Sequence, residues 1–467
     1  MQIRKKTGIL DGRVMPTLLS FAFPIICGNI FQQLYNIVDA MVVGAYLGDL
    51  PLGGISAAAP IMDVLYGIIT GGTVGVSALL AQLFGAGKHS RMKRVHVTAL
   101  YFGTAFTLLL GIISLIAAPL ILRAQHTAES VLSQSMQYLT IICLGLVLNF
   151  VYSYYAASLR ACGNSAIPFW VLLSSSILHA GLDVLLVGVF QLGIIGVAFS
   201  TVFCQGLSGV FLFLYCQKRF SELAVAREDR PDRKEIGPVA GFAWAGALQQ
   251  IVVQVGRLLV QGMVSNLPTD GVPAAEQAAF RSNSVTGYNM GMRVENFLFS
   301  IIQGVSGASV VVISQNFGHG NGKRATRFYQ NGLLIALCYG IVLFAVCRTF
   351  PRWLIGLFSS NEQVLAAGTR YISLMAFFYL FACFGEIIQS LYRGIGKLRV
   401  CALSSGLQVL LRVILSALLI PRMGIPGISY AVAAGWILMV LIEGGFSLRR
   451  CRLLAAMGDA ADAPPEN

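Results

Sequence analysis

Charged side chains are scarce in this sequence. Of its 467 residues only 11% are Asp, Glu, Lys or Arg, while 56% are hydrophobic; a soluble domain carries about 25% charged residues. This scarcity excludes an ordinary soluble protein and indicates an integral membrane protein. The ten cysteines form no CxxC motif and lie mostly inside apolar runs, so the spacing of a metal centre or of a disulfide framework is also missing.

Basic residues outnumber acidic ones, with 33 Lys and Arg against 20 Asp and Glu. Such an excess can indicate nucleic-acid binding, but here the Lys and Arg residues lie in short clusters between apolar runs. Membrane topology explains this pattern, so we expect the lipid bilayer and no nucleic acid as a partner. The first cluster, Arg4-Lys5-Lys6, leads into an apolar run without a small-residue cleavage site, and we expect that run to stay as a helix.

Twelve apolar runs are long enough to cross a hydrocarbon core of about 30 Å. One alternate set of the connections between them holds about 24 of the 33 Lys and Arg residues. The positive-inside rule places that set in the cytoplasm, so both termini are predicted to be cytoplasmic. The predicted spans, numbered 1 to 12, cover roughly residues 15–45, 53–83, 95–121, 132–158, 167–190, 193–217, 238–265, 284–315, 328–348, 365–391, 399–420 and 425–448.

Two halves of the sequence resemble each other. Gln82-Leu-Phe-Gly-Ala-Gly87 matches Gln315-Asn-Phe-Gly-His-Gly320 at an offset of 233 residues, and Leu159-Arg-Ala-Cys-Gly163 matches Tyr392-Arg-Gly-Ile-Gly396 at the same offset. The glycines of the first pair suit left-handed caps at the ends of spans 2 and 8. Each half has six spans in the same orientation, which predicts a parallel repeat of the kind that alternating-access transporters use.

The most polar connection, residues 227–235, falls at the middle of the chain and reads as a linker. The sequence therefore predicts an all-α membrane protein of twelve transmembrane helices in two pseudo-symmetric six-helix bundles. We assign residues 1–220 to the N-terminal lobe and residues 221–467 to the C-terminal lobe, with a disordered cytoplasmic tail after about residue 453.

An ionisable pair lies inside predicted span 5. His179 and Asp183 are four residues apart, so on a helix they share one face. Ionisable groups are costly inside a membrane and usually face a cavity or a partner on an ion pathway. We therefore take this pair as the functional centre. The alternative is a neutral His–Asp hydrogen bond that only joins helices.

The motifs together resemble the multidrug and toxic compound extrusion (MATE) family, on its DinF-like prokaryotic side. The resemblance rests on the twelve spans in two halves, the two glycine turns, Tyr35-Asn-Ile-Val-Asp39 in span 1 and Leu182-Asp183-Val-Leu-Leu in span 5, and it covers roughly residues 10–450. It implies a V-shaped pair of bundles in the cytoplasmic (inner) membrane. It also implies a secondary antiporter, not an enzyme, that exports cationic or amphipathic drugs against inward H⁺ or Na⁺, without a further cofactor. We expect a monomer.

The family's N-lobe cation site uses an Asp in span 1, an Asn and an Asp one turn apart in span 5, and a Thr in span 6. Asp39, Asp183 and Thr201 match three of these positions. His179 replaces the Asn, and Val184 stands where a Pro commonly follows the Asp. The resemblance thus implies a coupling site of Asp39, His179, Asp183 and Thr201.

The depth of these residues is a separate argument. Spans 1 and 5 run outward and are predicted to end near residues 46 and 190, so Asp39 and Asp183 each lie seven residues inside the outer end. Span 6 begins near residue 193 and runs inward, so Thr201 lies eight residues inside. All three then lie roughly 10 to 12 Å below the outer surface, where they can meet.

The residue types at this site bear on the coupling ion. Two carboxyl groups in a partly dry pocket cannot both ionise cheaply, because burial and mutual repulsion favour protonation of one. A charged His179 would keep Asp183 ionised, and a neutral one can relay protons. Sodium, by analogy with calcium and magnesium, prefers oxygen ligands, so an imidazole in place of an amide oxygen weakens a sodium site. Proton coupling is favoured, and sodium stays an alternative.

Pro24 lies inside span 1, fifteen residues before Asp39, where a proline permits a kink. We hypothesise that protonation of Asp39 changes the bending of this helix and displaces substrate; a static kink is the alternative.

Aromatic rings attract cations and Met adapts to varied shapes, so several residues are candidates for a substrate cavity, with packing or ion pairing as the alternative for each. These candidates are Gln33, Tyr35, Asn36, Tyr152, Tyr155, Met290, Met292, Glu295 and Glu386.

Three other functions compete with an antiporter. An intramembrane metalloenzyme would need His89 and His96, which we expect to be solvated at a helix start without a third ligand. A channel fits the repeat less well than alternating access does. A lipid-linked precursor flippase of a related export fold is the nearest alternative, because it would use intramembrane basic residues such as Arg257, Arg293, Arg370 and Arg412.

Overall fold

The structure is a computed structural model that describes residues 8–124, 128–265, 267–269 and 273–461, and within these residues it contains helices and turns but no β-strand. Long apolar runs become helices in a membrane because a helix satisfies its backbone hydrogen bonds internally. A π-helical segment, Val184–Val189, follows the sixth α-helix. The α-helices are α1 (Val14–Leu47), α2 (Asp49–Gly85), α3 (His89–Ala124), α4 (Glu129–Leu144), α5 (Leu146–Ala161), α6 (Ala166–Asp183), α7 (Gly193–Arg219), α8 (Arg233–Val264), α9 (Gln277–Gly318), α10 (Gly322–Thr349), α11 (Pro351–Gly356), α12 (Glu362–Met375), α13 (Tyr379–Gly394), α14 (Leu398–Met423) and α15 (Ile425–Ala461).

The helices confirm the predicted class of fold. Ten of the described helices are long and apolar enough to cross a membrane, and the number rises to twelve if each of two bent helix pairs is one span. Large apolar side chains also lie on the outside, where Ile116 and Leu120 of α3 are each 74% exposed. Apolar surface of this kind is expected where a helix meets lipid tails and not water.

Two spans are bent, which the sequence analysis does not predict. Helices α4 and α5 meet at Gly145 with a bend of 50°, and α12 and α13 meet with a bend of 58°. A Cβ atom on Gly145 would lie 2.4 Å from the Cγ2 atom of Val202 on α7. Glycine therefore allows α7 to pack against the bend of predicted span 4.

The chain folds into two compact units. The first comprises residues 23–251 with the short segments 8–12 and 314–319, and the second comprises residues 13–22, 252–313 and 320–461. The division falls inside α1, after Ala22, and inside α8, after Ile251. The repeat boundary predicted near residue 220 is a separate division, based on sequence similarity alone.

The two matched glycine turns adopt the predicted caps. Gly87 has φ +67° and Gly320 has φ +85°, the left-handed conformation that glycine adopts at low cost. A second function of the motif is visible at Gly85 and Gly318. A Cβ atom on Gly85 would lie 2.0 Å from the carbonyl oxygen of Gln315, and one on Gly318 would lie 1.9 Å from that of Gln82. The two turns thus pack backbone to backbone within the first unit.

The polar connection between α7 and α8 is fixed to the start of α3. Arg91 donates two hydrogen bonds, of 2.8 and 3.1 Å, to the carboxylate of Glu235, which is 5% exposed. Lys93 pairs with Asp229 at 2.9 Å. The pKa of Asp229 lies below its ordinary value because its carboxylate accepts hydrogen bonds from the backbone N–H of Ala226 and from Lys93. The linker is therefore an ordered part of the first unit.

The expectation of a solvated His96 is wrong. Its side chain is fully buried, its ring stacks on that of Tyr154, and its Nδ1 atom lies 2.9 Å from the Tyr154 hydroxyl. The cause is that α3 already begins at His89, so His96 lies two turns inside a packed helix. His89 stays partly exposed and pairs with Glu222 at 3.3 Å.

The close approach of the two turns can be tested by substitution. Gly85→Ala should destabilise the protein by about 1–3 kcal/mol, because the new methyl group meets backbone that cannot rotate away. The measurement is the midpoint of thermal unfolding in detergent. Gly241→Ala on α8 is the matched control, since a Cβ atom there meets nothing within 4 Å. Equal midpoints for the two variants would contradict the packing described here.

Candidate functional site

Three helices of the first unit meet at one polar cluster. Helix α1 carries Asp39, α6 carries His179 and Asp183, and α7 carries Thr201. One ligand atom of each of Asp39, His179 and Asp183 lies within 4.8 Å of the others. The ends of these elements agree with the predicted ones: α1 ends at Leu47, the π-helical segment after Asp183 ends at Val189, and α7 begins at Gly193. The structure thus brings the four predicted coupling residues together.

His179 is the centre of this cluster. Its Nδ1 atom lies 2.8 Å from the Oδ2 atom of Asp183, and its Nε2 atom lies 2.9 Å from the Oγ1 atom of Thr201. Tyr35, which is also a predicted cavity residue, places its hydroxyl within 3.0 Å of both ring nitrogens. His179 is 3% exposed and Asp183 is 1% exposed. Because Nδ1 faces a carboxyl oxygen, an N–H on Nδ1 donates a hydrogen bond to Asp183.

Two further residues of the cluster are missing from the sequence prediction. The Oγ atom of Ser200 makes a very short contact with the Oδ1 atom of Asp183 and lies 2.8 Å from the carbonyl oxygen of Val197 and 3.3 Å from His179 Nε2. Tyr138, buried on α4, contacts Thr201. Ser200 could have been predicted from its position next to Thr201, because two consecutive residues of one helix can contact different members of the same cluster.

The backbone changes its hydrogen-bonding pattern immediately after Asp183. Residues Val184–Val189 form a π-helical segment, and Gln191 in the following turn has φ +55°. Single π-turns are uncommon and often occur at functional sites. This segment begins at the position where the resemblance leads one to expect a proline, and Val184 occupies it.

The arrangement can hold a proton or a small cation. Asp39 Oδ1 is buried and has no hydrogen-bond partner, and Asp183 Oδ2 contacts His179 only at ion-pair geometry. Two carboxyl groups with incompletely satisfied oxygens repel each other when both are ionised. Uptake of one positive charge relieves that repulsion, and either H⁺ or Na⁺ can provide it.

The other cavity candidates of the first unit have different surroundings. Gln33 and Tyr152 are half-buried, and Asn36 is exposed and accepts a 3.4 Å hydrogen bond from Gln32. Tyr155 is fully buried among aromatic rings, edge-on to His96 and Phe213. Tyr155 therefore packs in the core, which corresponds to the alternative given for it.

In the second unit, Glu295 lies among aromatic side chains. The hydroxyls of Tyr371 and Tyr379 lie 3.1 and 3.3 Å from its Oε2 atom, and Met292 lies 3.3 Å from the Tyr371 hydroxyl. Arg257 and Arg412 lie near enough to act on Glu295 electrostatically. An ionised Glu295 offsets the positive charge of Arg257 and Arg412, two of the four arginines on which the flippase alternative depends.

The three remaining predicted residues are Met290, Glu386 and Pro24, which take no part in the side-chain contacts described above. Met290 and Glu386 are half-buried, and Glu386 lies seven residues along α13 from Tyr379, which is roughly 10 Å of helix. Pro24 lies inside α1, two residues after the division between the compact units at Ala22.

Comparison with known proteins gives the family. The MatE family model matches residues 24–185 and 247–418, more than half of the chain. A Bacillus subtilis (strain 168) protein named "Probable multidrug resistance protein YpnP" is 24% identical over 389 residues, which cover 83% of this chain and 84% of that protein. The "Multidrug export protein MepA" of Staphylococcus aureus (strain bovine RF122 / ET3-1) is 21% identical over 428 residues, or 90% of each chain.

A solved structure has the same fold. It is described as the outward-facing conformation of a multidrug resistance MATE family transporter of the MOP superfamily, and it aligns with a TM-score of 0.87 at 17% identity over 97% of this chain and 99% of its own. The family model also matches the chain in two segments, one in each half of the predicted repeat. This chain therefore belongs to the MatE family, the multidrug and toxic compound extrusion (MATE) transporters that its sequence motifs resemble.

Proposed function

We propose that this protein is a secondary active antiporter that exports cationic or amphipathic organic compounds across the cytoplasmic membrane in exchange for inward H⁺. The observation that carries the proposal is the buried cluster of Asp39, His179 and Asp183. Ionisable groups inside a membrane mark ion pathways by default. We place the protein in the inner membrane as a monomer with both termini in the cytoplasm, in accord with the distribution of Lys and Arg.

The ligand set favours a proton over sodium. His179 lies between Asp183 and Thr201, so a nitrogen occupies a place where a sodium ion would need an oxygen. The imidazole and the two carboxyl groups can together bind different numbers of protons without any change of ligands. Protonation of one carboxyl group removes the repulsion between Asp39 and Asp183.

The driving force is sufficient. One charge moving through about 100 mV is worth ~2.3 kcal/mol, and one pH unit adds ~1.36 kcal/mol. For an uncharged compound, one inward H⁺ can therefore sustain an export gradient on the order of a hundredfold to a thousandfold. For a monovalent cation the exchange moves no net charge, so only the pH difference remains, which supports about a tenfold gradient per pH unit.

The substrate class follows from relatives and from one cluster. The names of the two bacterial relatives refer to multidrug resistance and multidrug export. In the second unit, Glu295 with Tyr371, Tyr379 and Met292 offers one negative charge among aromatic faces, which suits an organic cation. We propose Glu295 as a substrate-contacting residue of this transporter.

We also propose that α1 transmits the change. Asp39 lies fifteen residues after Pro24, which cannot donate a backbone hydrogen bond inside the helix. Loss of charge on Asp39 changes its attraction to the imidazole of α6, and the proline gives α1 a point at which it can bend.

The role of Asp39 is tested by Asp39→Asn. The amide cannot take up a proton, so substrate–proton exchange should be abolished while the fold is kept. The measurement is dye efflux in everted membrane vesicles under an imposed pH gradient. Gln32→Ala, which removes a polar side chain two turns earlier on α1, is the control and should retain exchange. Full exchange by Asp39→Asn would refute the proposed role.

The choice of ion is tested by His179→Asn. The substitution exchanges the imidazole for an amide oxygen, so transport driven by an imposed sodium gradient should rise relative to transport driven by a proton gradient. His179→Leu, which supplies no oxygen, should show no such gain. If the wild type already responds to sodium alone, and His179→Asn leaves the ratio of the two rates unchanged, proton coupling through this cluster is excluded.

A further inference from the structure

A second buried carboxyl group lies in the other unit, on α15. Glu443 is 0% exposed, and its Oε2 atom has no hydrogen-bond partner. Its Oε1 atom receives a very short contact from the Ser404 hydroxyl of α14 and lies 3.3 Å from the Nε2 atom of Gln389 on α13. An ionised carboxylate that is buried without an ion-pair partner is costly. Glu443 therefore needs either a positive partner or a proton.

Among the side chains that the structure describes, Arg393 is the basic one that acts on Glu443, and it does not supply that partner. Arg393 donates a 2.8 Å hydrogen bond to the Oε1 atom of Gln389, not to Glu443. This contact fixes the orientation of the amide, so that its NH₂ group points at Glu443 and at Ser405, 3.1 Å away. Because these N–H donors face the carboxyl oxygen, a metal cation at Oε1 would be repelled.

The serine contact favours a proton on the carboxyl group. The Oγ atom of Ser404 lies close to Glu443 Oε1 and also 3.1 Å from the carbonyl oxygen of Cys401. A hydroxyl group has one hydrogen and can donate only one of these two bonds. If Glu443 carries a proton, it donates to Ser404, and Ser404 donates to Cys401, so both contacts become hydrogen bonds. If Glu443 is ionised, one contact is lost.

The surrounding elements provide groups of both signs at longer range. Within the described part of the chain, the titratable and charged side chains that act on Glu443, or on which it acts, are Arg393 and Glu386 of α13, Cys401 of α14 and Tyr329 of α10. One positive and one negative group on the same helix oppose each other. The immediate contacts with Ser404 and Gln389 therefore decide the balance between the protonated and the ionised form.

The site lies near the ends of its helices. Gln389 is five residues before the end of α13 at Gly394, and Ser404 is six residues after the start of α14 at Leu398. These distances correspond to roughly 7 to 9 Å. The positive-inside rule predicts that the turn between α13 and α14 is cytoplasmic, whereas it predicts that the turn following Asp183 is external.

We propose that Glu443 is a second proton-binding site, in the C-terminal half, whose carboxyl group takes up and releases a proton near the cytoplasmic side. This inference extends the proposed proton-driven export and rests on it for its role in transport. Proton binding by Glu443 is itself independent of Asp39 and His179. The matched positions in the N-terminal half are apolar. Gly193-Ile-Ile-Gly196 matches Gly424-Ile-Pro-Gly427 at an offset of 231 residues, which places Leu212 at the position of Glu443, and the offset of 233 residues places Ala156 at that of Gln389.

The experiment is infrared difference spectroscopy of the full-length protein in liposomes as the pH is varied, which follows the C=O stretching band of protonated carboxyl groups. Wild type should show a band that titrates and is missing from Glu443→Gln but present in Asp39→Asn. In Gln389→Met, the donor that stabilises the ionised form is removed, so the band should persist to a pH higher by about one unit. Gln408→Met is the control, because Gln408 faces Gly435 of α15.

The outcomes separate this proposal from the proposed function. An unchanged difference spectrum in Glu443→Gln, or a band that does not titrate, would overturn the second site whatever Asp39→Asn does to transport. A band whose midpoint moves with sodium but not with potassium, at equal ionic strength, would also overturn it. If the band behaves as expected while Asp39→Asn retains full exchange, the second site stands and coupling through the first cluster fails. In support, Glu443→Gln should lower the number of protons that enter per dye molecule exported.

Discussion

Burial of the His179–Asp183 pair is the constraint on which the organisation of the first unit depends. Both side chains are almost inaccessible, and a polar group in that position is stable only if its neighbours satisfy it. The hydrogen-bond partners of this pair are Tyr35 of α1 and Ser200 and Thr201 of α7. The three helices are therefore held together by the same contacts that would bind the coupling ion. In the proposed mechanism, a change in the charge of the cluster acts on these helix contacts directly.

The two halves share a backbone repeat but not their chemistry. The glycine turns are matched in sequence, in conformation and in their reciprocal close approach, so the repeat is a property of how the backbone packs. The acidic groups do not follow it. The first unit has two carboxyl groups around an imidazole, while the second has Glu295 among tyrosines and Glu443 beside Ser404 and Gln389. One scaffold thus carries different polar groups in its two halves.

The sequence predicted what depends on long apolar runs and on local spacing. The spans, the left-handed glycines and the common depth of Asp39, Asp183 and Thr201 follow from a rise of about 1.5 Å per residue and from the absence of a Cβ atom. The close packing at Gly145 was not predictable in this way, because its partner Val202 lies on a different helix. His96 was misjudged for the same reason. Its burial depends on Tyr154, 58 residues away, and hydropathy along a single helix carries no information about such partners.

A π-helical segment directly follows Asp183 of the proposed coupling site. A wider turn leaves the regular i to i−4 pattern, so the backbone after Asp183 is less tightly constrained than that of the long helix before it. Asp183 is the last residue of α6, and its partner Ser200 lies only seven residues into α7. A proline at residue 184 would remove a backbone donor, whereas the N–H group of Val184 donates to the carbonyl oxygen of Ala180. The backbone beside the buried Asp183 is thus irregular although Val184 stands in place of the expected proline. This combination argues that the irregularity itself serves the site.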